Sequence, residues 1–91
     1  MNAATSGDVQ NRILALVTSI LTQNGVAIAL KSDTRLADAG LASMDMVNLM
    51  LAVEAEFDLT IPQADITPEN FQSVRAIEQM IVKQQRRAKA A

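Results

Sequence analysis

The chain has no cysteine, no histidine, no tryptophan and no tyrosine. Without cysteine there is no disulfide framework, no thiolate nucleophile and no zinc–thiolate site. Without histidine the commonest general base and the commonest metal ligand are both missing. The acids form neither a calcium loop nor a dimetal set, so no metal site is expected. This inventory argues against an enzyme. The two aromatic residues, Phe57 and Phe71, leave the core to be built from Leu, Ile, Val, Met and Ala. No stretch approaches the length of a membrane span, and the N-terminus lacks the basic start and apolar run of a signal peptide. A cytoplasmic protein is therefore expected. Basic residues are missing from Leu36 to Val74, where seven acids lie (Asp38, Asp45, Glu54, Glu56, Asp58, Asp65, Glu69). Such a region repels nucleic acid and attracts basic protein surfaces. The last nine residues hold Lys83, Arg86, Arg87 and Lys89. They read as a solvated tail whose charge complements a helix C-terminus.

What is present is mostly helical pattern. Ser6 or Asp8 is placed to cap a first helix, in which Val9, Ile13, Leu16, Val17, Ile20 and Leu21 recur at three- and four-residue spacing. Asn24-Gly25 stops it, with Gly25 suited to a left-handed cap. Residues 26–42 are irregular: a short apolar run (Val26, Ala27, Ile28, Leu30), then the turn-like Lys31-Ser32-Asp33-Thr34, then Leu36 and Leu41 bracketing Ala37-Asp38-Ala39-Gly40. A connection this long in so small a domain is functional or itself partly helical. Leu36 and Leu41 are expected beneath the bundle, pinning the loop. A second helix is predicted from about Ser43 to about Phe57, apolar over much of its circumference, with Asp45, Glu54 and Glu56 on an acidic outer face. Pro62 keeps Ile61 extended. Thr67-Pro68-Glu69 gives a local helix start, expected to be short because Ser73 looks like the cap of a last helix carrying Val74, Ile77, Met80 and Ile81. The expected architecture is an all-α four-helix bundle, three main helices and one short one. It forms a single domain with its core at about 6–82, and 1–5 and 83–91 fray.

The stretch around which the rest is organised is Asp38-Ala39-Gly40-Leu41-Ala42-Ser43-Met44-Asp45. Ser43 has no His partner anywhere, so it is a poor catalytic nucleophile. Considered by itself it is most simply a helix N-cap, worth about 1 kcal/mol.

Residues 36–47, from Leu36 through Ser43 to Val47, resemble the prosthetic-group site of acyl carrier proteins. The continuation, with Glu56-Phe57-Asp58 and then Ile61-Pro62, also resembles that family, as do Ser73-Val74 and Ile77. The resemblance spans about Val9 to Ile81. It implies that Ser43 is esterified through a phosphodiester to 4'-phosphopantetheine, donated by coenzyme A under a phosphopantetheinyl transferase. The thiol of that arm would hold an acyl group as a thioester. Partners would then be the transferase and acyl-transferring, ketosynthase-type or ligase enzymes, with no nucleic acid and no membrane span, and the chain is expected to be a monomer. Asp38, Met44, Asp45, Asn48, Glu54 and Glu56 are the candidate partner-binding residues. Val47, Met50, Val53, Phe57, Ile61 and Val74 are the candidate acyl-chain pocket.

Two departures from the family pattern stand out. Ala42 precedes the serine where carriers of fatty-acid synthesis usually have Asp, and Met44 follows it in place of Leu. Asn48 and Ala55 also stand where those carriers tend to be acidic. The expectation is a specialised acyl carrier serving lipid or secondary-metabolite synthesis. A peptidyl or aminoacyl carrier, or an interaction module that never receives the arm, remain open as alternatives.

Overall fold

The computed structural model describes residues 6–27 and 29–90. The expected frayed lead (1–5), Ile28 and Ala91 lie outside the described residues. Among the described residues four α-helices follow in order, α1 (Ser6–Gln23), α2 (Leu36–Ala39), α3 (Ser43–Phe57) and α4 (Val74–Ala90), with one 3-10 turn at Gln63–Asp65. The three long helices are where the sequence periodicity puts them. The short one is not. Thr67 and Pro68 do begin a turn, with the Asn70 N–H donating to Thr67 Oγ1 at 3.2 Å. The backbone does not propagate it, and Phe71 instead turns down into the core. The short helix lies at Leu36–Ala39, inside the connection that seemed too long to be structureless. Helix α4 also continues to Ala90, past the point where the tail was expected to fray. Arg87 in that extension pairs with Asp65 across 3.8 Å. No helix among the described residues is long and apolar enough to cross a membrane.

The core follows from the spacing. Val9, Ile13, Val17 and Leu21 of α1 meet Leu49 and Val53 of α3 and Val74, Ile77, Met80 and Ile81 of α4, all buried. Leu36 and Leu41 are buried beneath the bundle, as their bracketing of the loop predicts. On α3 the buried stripe is narrower than its composition implies. It centres on Leu49 and Val53, whereas Val47 and Leu51 face outward.

Helix ends fix the connections. At the end of α1 the Val26 N–H reaches Leu21 O at 2.8 Å and Gly25 takes φ 78°. At the end of α2 the Leu41 N–H reaches Leu36 O at 3.1 Å and Gly40 takes φ 115°. At the end of α3 the Leu59 N–H reaches Glu54 O at 3.1 Å, with Asp58 in the left-handed region at φ 51°. Each is a six-to-one closure around a left-handed residue, which satisfies carbonyls the helix leaves open. Ser73 caps α4, accepting the Ala76 N–H at 3.1 Å. Two backbone bonds pin the loop before α3 against the start of α4: Leu36 N–H to Gln72 O at 2.9 Å and Arg75 N–H to Ser32 O at 2.8 Å. The chain entering α2 is thus tied to the start of α4.

Candidate functional site

Ser43 is the first residue of α3, not its cap. The N-cap position belongs to Ala42, whose backbone is extended (φ −85°, ψ 173°) and whose methyl group accepts nothing. This corrects the sequence expectation. The capping is done from inside the helix by Asp45, whose Oδ2 accepts the Ala42 N–H at 2.9 Å and the Asn24 side-chain amide at 2.9 Å. Asp45 therefore joins three pieces of chain: the end of α1, the residue before Ser43, and the first turn of α3. With that work done elsewhere, the Ser43 hydroxyl is exposed and makes no hydrogen bond among the described residues. The N–H groups of Ser43, Met44 and Asp45 precede the first intrahelical bond, Met46 N–H to Ala42 O. They leave a positive helix end beside the hydroxyl.

Ser43 opens onto a groove of about 590 Å³. One wall is α2 with its flank (Arg35, Ala37, Asp38), the floor is α3 (Met46, Val47, Met50), and the far wall is the 66–72 segment, including Ile66 and Phe71. The far wall follows from the aborted helix at Thr67: a loop, not a helix, lies over the front half of α3.

The sequence-predicted site residues divide. Asp38, Val47 and Met50 share the groove with Ser43. Met44 and Asn48 are exposed on α3. Asp45, Glu54 and Glu56, expected to form an open acidic face, are each engaged within the molecule. Asp45 caps α3. Glu54 Oε2 accepts the Ile61 N–H at 2.8 Å, which fastens the Ile61-Pro62 segment to the helix. Glu56 meets Arg12 at 2.8 Å, and the same guanidinium donates to Glu56 O at 2.7 Å and lies 4.3 Å from the Phe57 ring centroid. Of the expected acyl-chain pocket, Val53, Ile61 and Val74 are packed core, not groove lining. Phe57 is half-buried under Arg12 and also lies outside the groove. Most of the remaining lining, including Arg35, Met46, Ile66 and Phe71, was not anticipated. The available signal was Phe71, one of two aromatics in the chain.

What α3 does present is apolar. Met44 is 73 % exposed, Val47 49 % and Leu51 53 %. Their spacing of three and then four residues sets them on one face, beginning next to Ser43. Ile66, 42 % exposed, stands across the groove.

An exposed, unbonded serine at a helix start, beside an open groove and without a catalytic base, suits attachment of a group. Comparison with known families agrees: residues 11–81 match the family described as "Phosphopantetheine attachment site". The chain belongs to the carrier-protein family. Carriers of this family bear a covalently bound phosphopantetheine and are not themselves catalysts. The residues present fit such a group, since Ser43 is accessible and the helix start beside it favours a phosphate's charge.

This carrier is 58% identical to aminoacyl carrier protein 1 of Bradyrhizobium diazoefficiens, over 97% of this chain and 98% of that one. It is 56% identical to aminoacyl carrier protein 2 of the same organism, over 88% of this chain and 90% of the other. Among solved structures it resembles the glycylated carrier protein held by the Bradyrhizobium japonicum glycine:[carrier protein] ligase (63% identity, TM-score 0.71, covering 80% of this chain and 99% of that one). A second structure of that ligase, with its cognate carrier and an analogue of glycyl adenylate, gives 61% identity and TM-score 0.74, over 85% of this chain and 100% of that one.

Proposed function

We propose that this protein is an aminoacyl carrier: Ser43 bears the phosphopantetheine arm, and the arm carries a small amino acid, glycine in the first instance, as a thioester. The chain has no sulfhydryl of its own, so the arm supplies the thiol. The observation that carries the reading is the identity of 58% to an aminoacyl carrier over almost the whole chain. It displaces the lipid or secondary-metabolite cargo expected from the acyl-carrier resemblance.

We propose further that the partner is an ATP-dependent amino acid:carrier ligase, and that it docks on the apolar stripe Met44–Val47–Leu51. Of the acids that would have steered a basic partner, Asp45, Glu54 and Glu56 are engaged within the molecule, while three large apolar side chains stand open on the helix that Ser43 begins. An interface of this type is shallow and releases its partner readily, as a shuttle requires.

The test is reconstitution. The protein is converted with coenzyme A and a broad-specificity phosphopantetheinyl transferase, then offered single amino acids with ATP and an aminoacyl:carrier ligase. Intact mass should rise by one arm and then by one small amino acid, and the second gain should be lost on treatment with hydroxylamine. Loading with acyl groups by an acyl ligase, and refusal of every amino acid, would overturn the reading.

A further inference from the structure

We infer that Arg35 is the cation that holds the phosphodiester through which the arm is joined to Ser43. The inference rests on Ser43 being the attachment residue and adds a function for a residue outside the expected site.

Arg35 lines the same groove as Ser43 and is the lone cation among the residues that do so. Asp38 and Glu69 are the groove's two carboxylates. The Arg35 guanidinium is exposed and forms no hydrogen bond or ion pair among the described residues, with either of these or with any other. Three other arginines are committed elsewhere: Arg12 to Glu56, Arg87 to Asp65, and Arg75 to the Ser32 hydroxyl. From Leu36 to Val74 there is no Lys or Arg.

Attachment of the arm adds a permanent negative charge to a groove that already holds two carboxylates. Only the helix N-terminus and Arg35 oppose it locally. A guanidinium is suited to this because its planar fork matches two non-bridging phosphate oxygens, and it remains charged at every relevant pH. The main chain also places Arg35 well. It occupies the N-cap position of α2, with an extended backbone (φ −68°, ψ 122°), on a loop fixed by the Leu36–Gln72 bond. The consequence is a root for the arm that is held, not swinging, so that the thiol is presented from a restricted direction.

The test uses apo and modified protein. Intact mass first confirms that wild type, Arg35→Gln and Arg35→Lys all carry the arm, which separates failure of attachment from failure of this inference. The wild-type Arg35 Nε–Hε cross-peak should then shift between the apo and modified forms, and the shift should shrink at high salt. The phosphodiester 31P resonance should differ between modified wild type and Arg35→Gln, with Arg35→Lys in between. An Arg35 cross-peak that does not move on modification, or a 31P resonance identical in wild type and Arg35→Gln, would overturn the inference. The cross-peak comparison needs no variant, so it stands even if a substitution perturbs folding.

Discussion

Replacing Asp45 by alanine should destabilise the protein far more than replacing Ser43. Asp45 Oδ2 accepts two hydrogen bonds, from the Ala42 N–H and from the Asn24 amide, both at 2.9 Å. Loss of the cap bond is worth about 1 kcal/mol. Loss of a negative charge from the first turn adds about 0.5 kcal/mol at a half-exposed position. The Asn24 contact, a charge-assisted bond partly open to solvent, adds about 0.5 kcal/mol. The sum is about 2 kcal/mol, or a fall in Tm of roughly 10 °C for a domain of this size. Asp45→Asn keeps an acceptor and loses the charge, so about half that loss is expected. Ser43→Ala removes a hydroxyl with no partner and should stay within about 0.5 kcal/mol of wild type. Urea denaturation followed by far-UV circular dichroism reads all three. A Ser43→Ala variant that loses as much stability as Asp45→Ala, or an Asp45→Ala variant that loses none, would refute the capping assignment.

Three further outcomes are expected. Leu51→Lys puts a charge in the exposed apolar stripe and should lower kcat/KM for ligase loading about tenfold, through KM, because an apolar contact of about 1.4 kcal/mol is lost; its urea midpoint should match wild type. Gly40→Ala should cost about 1–2 kcal/mol in the same denaturation assay, since φ 115° is outside the range that a side chain tolerates, although the nearest atom to an added Cβ is an ordinary 3.5 Å away. Arg12→Gln should cost about 1 kcal/mol in stability and leave loading unchanged, because Arg12 joins α1 to the far end of α3 and lies outside the groove.

The long helices were legible because burial there is a matter of period. Val9, Ile13, Val17 and Leu21, and later Val74, Ile77, Met80 and Ile81, recur at helical spacing and are buried. The family was legible from the residues around Ser43, and the match over residues 11–81 bears that out. What sequence could not resolve was competition between local and tertiary signals. Thr67-Pro68 carries the chemistry of a helix start, yet burial of Phe71 takes the chain out of it. Ser43 has the chemistry of a cap, yet Asp45, three residues on from Ala42, reaches back to do the capping. The acids on α3 read as an open face because their partners are remote: Arg12 is 44 residues from Glu56, and Asn24 is 21 from Asp45. Conversely, α3 reads as apolar over much of its circumference, and only the packing shows that Val47 and Leu51 face out. The cargo was not legible at all. The resemblance carried by Ser43, α3 and Ile61-Pro62 left acyl and aminoacyl carriers both open, and it took nearly full-length similarity to aminoacyl carriers to favour one.

The most direct measurement of the central claim is the intact mass, with peptide mapping, of the protein isolated from its own cell and then incubated with glycine, ATP and an aminoacyl:carrier ligase. One phosphopantetheine is expected on the peptide containing Ser43, with one amino acid added as a hydroxylamine-labile thioester, and neither in Ser43→Ala. An arm on a different residue, or a modified protein that accepts acyl groups and no amino acid, would contradict it.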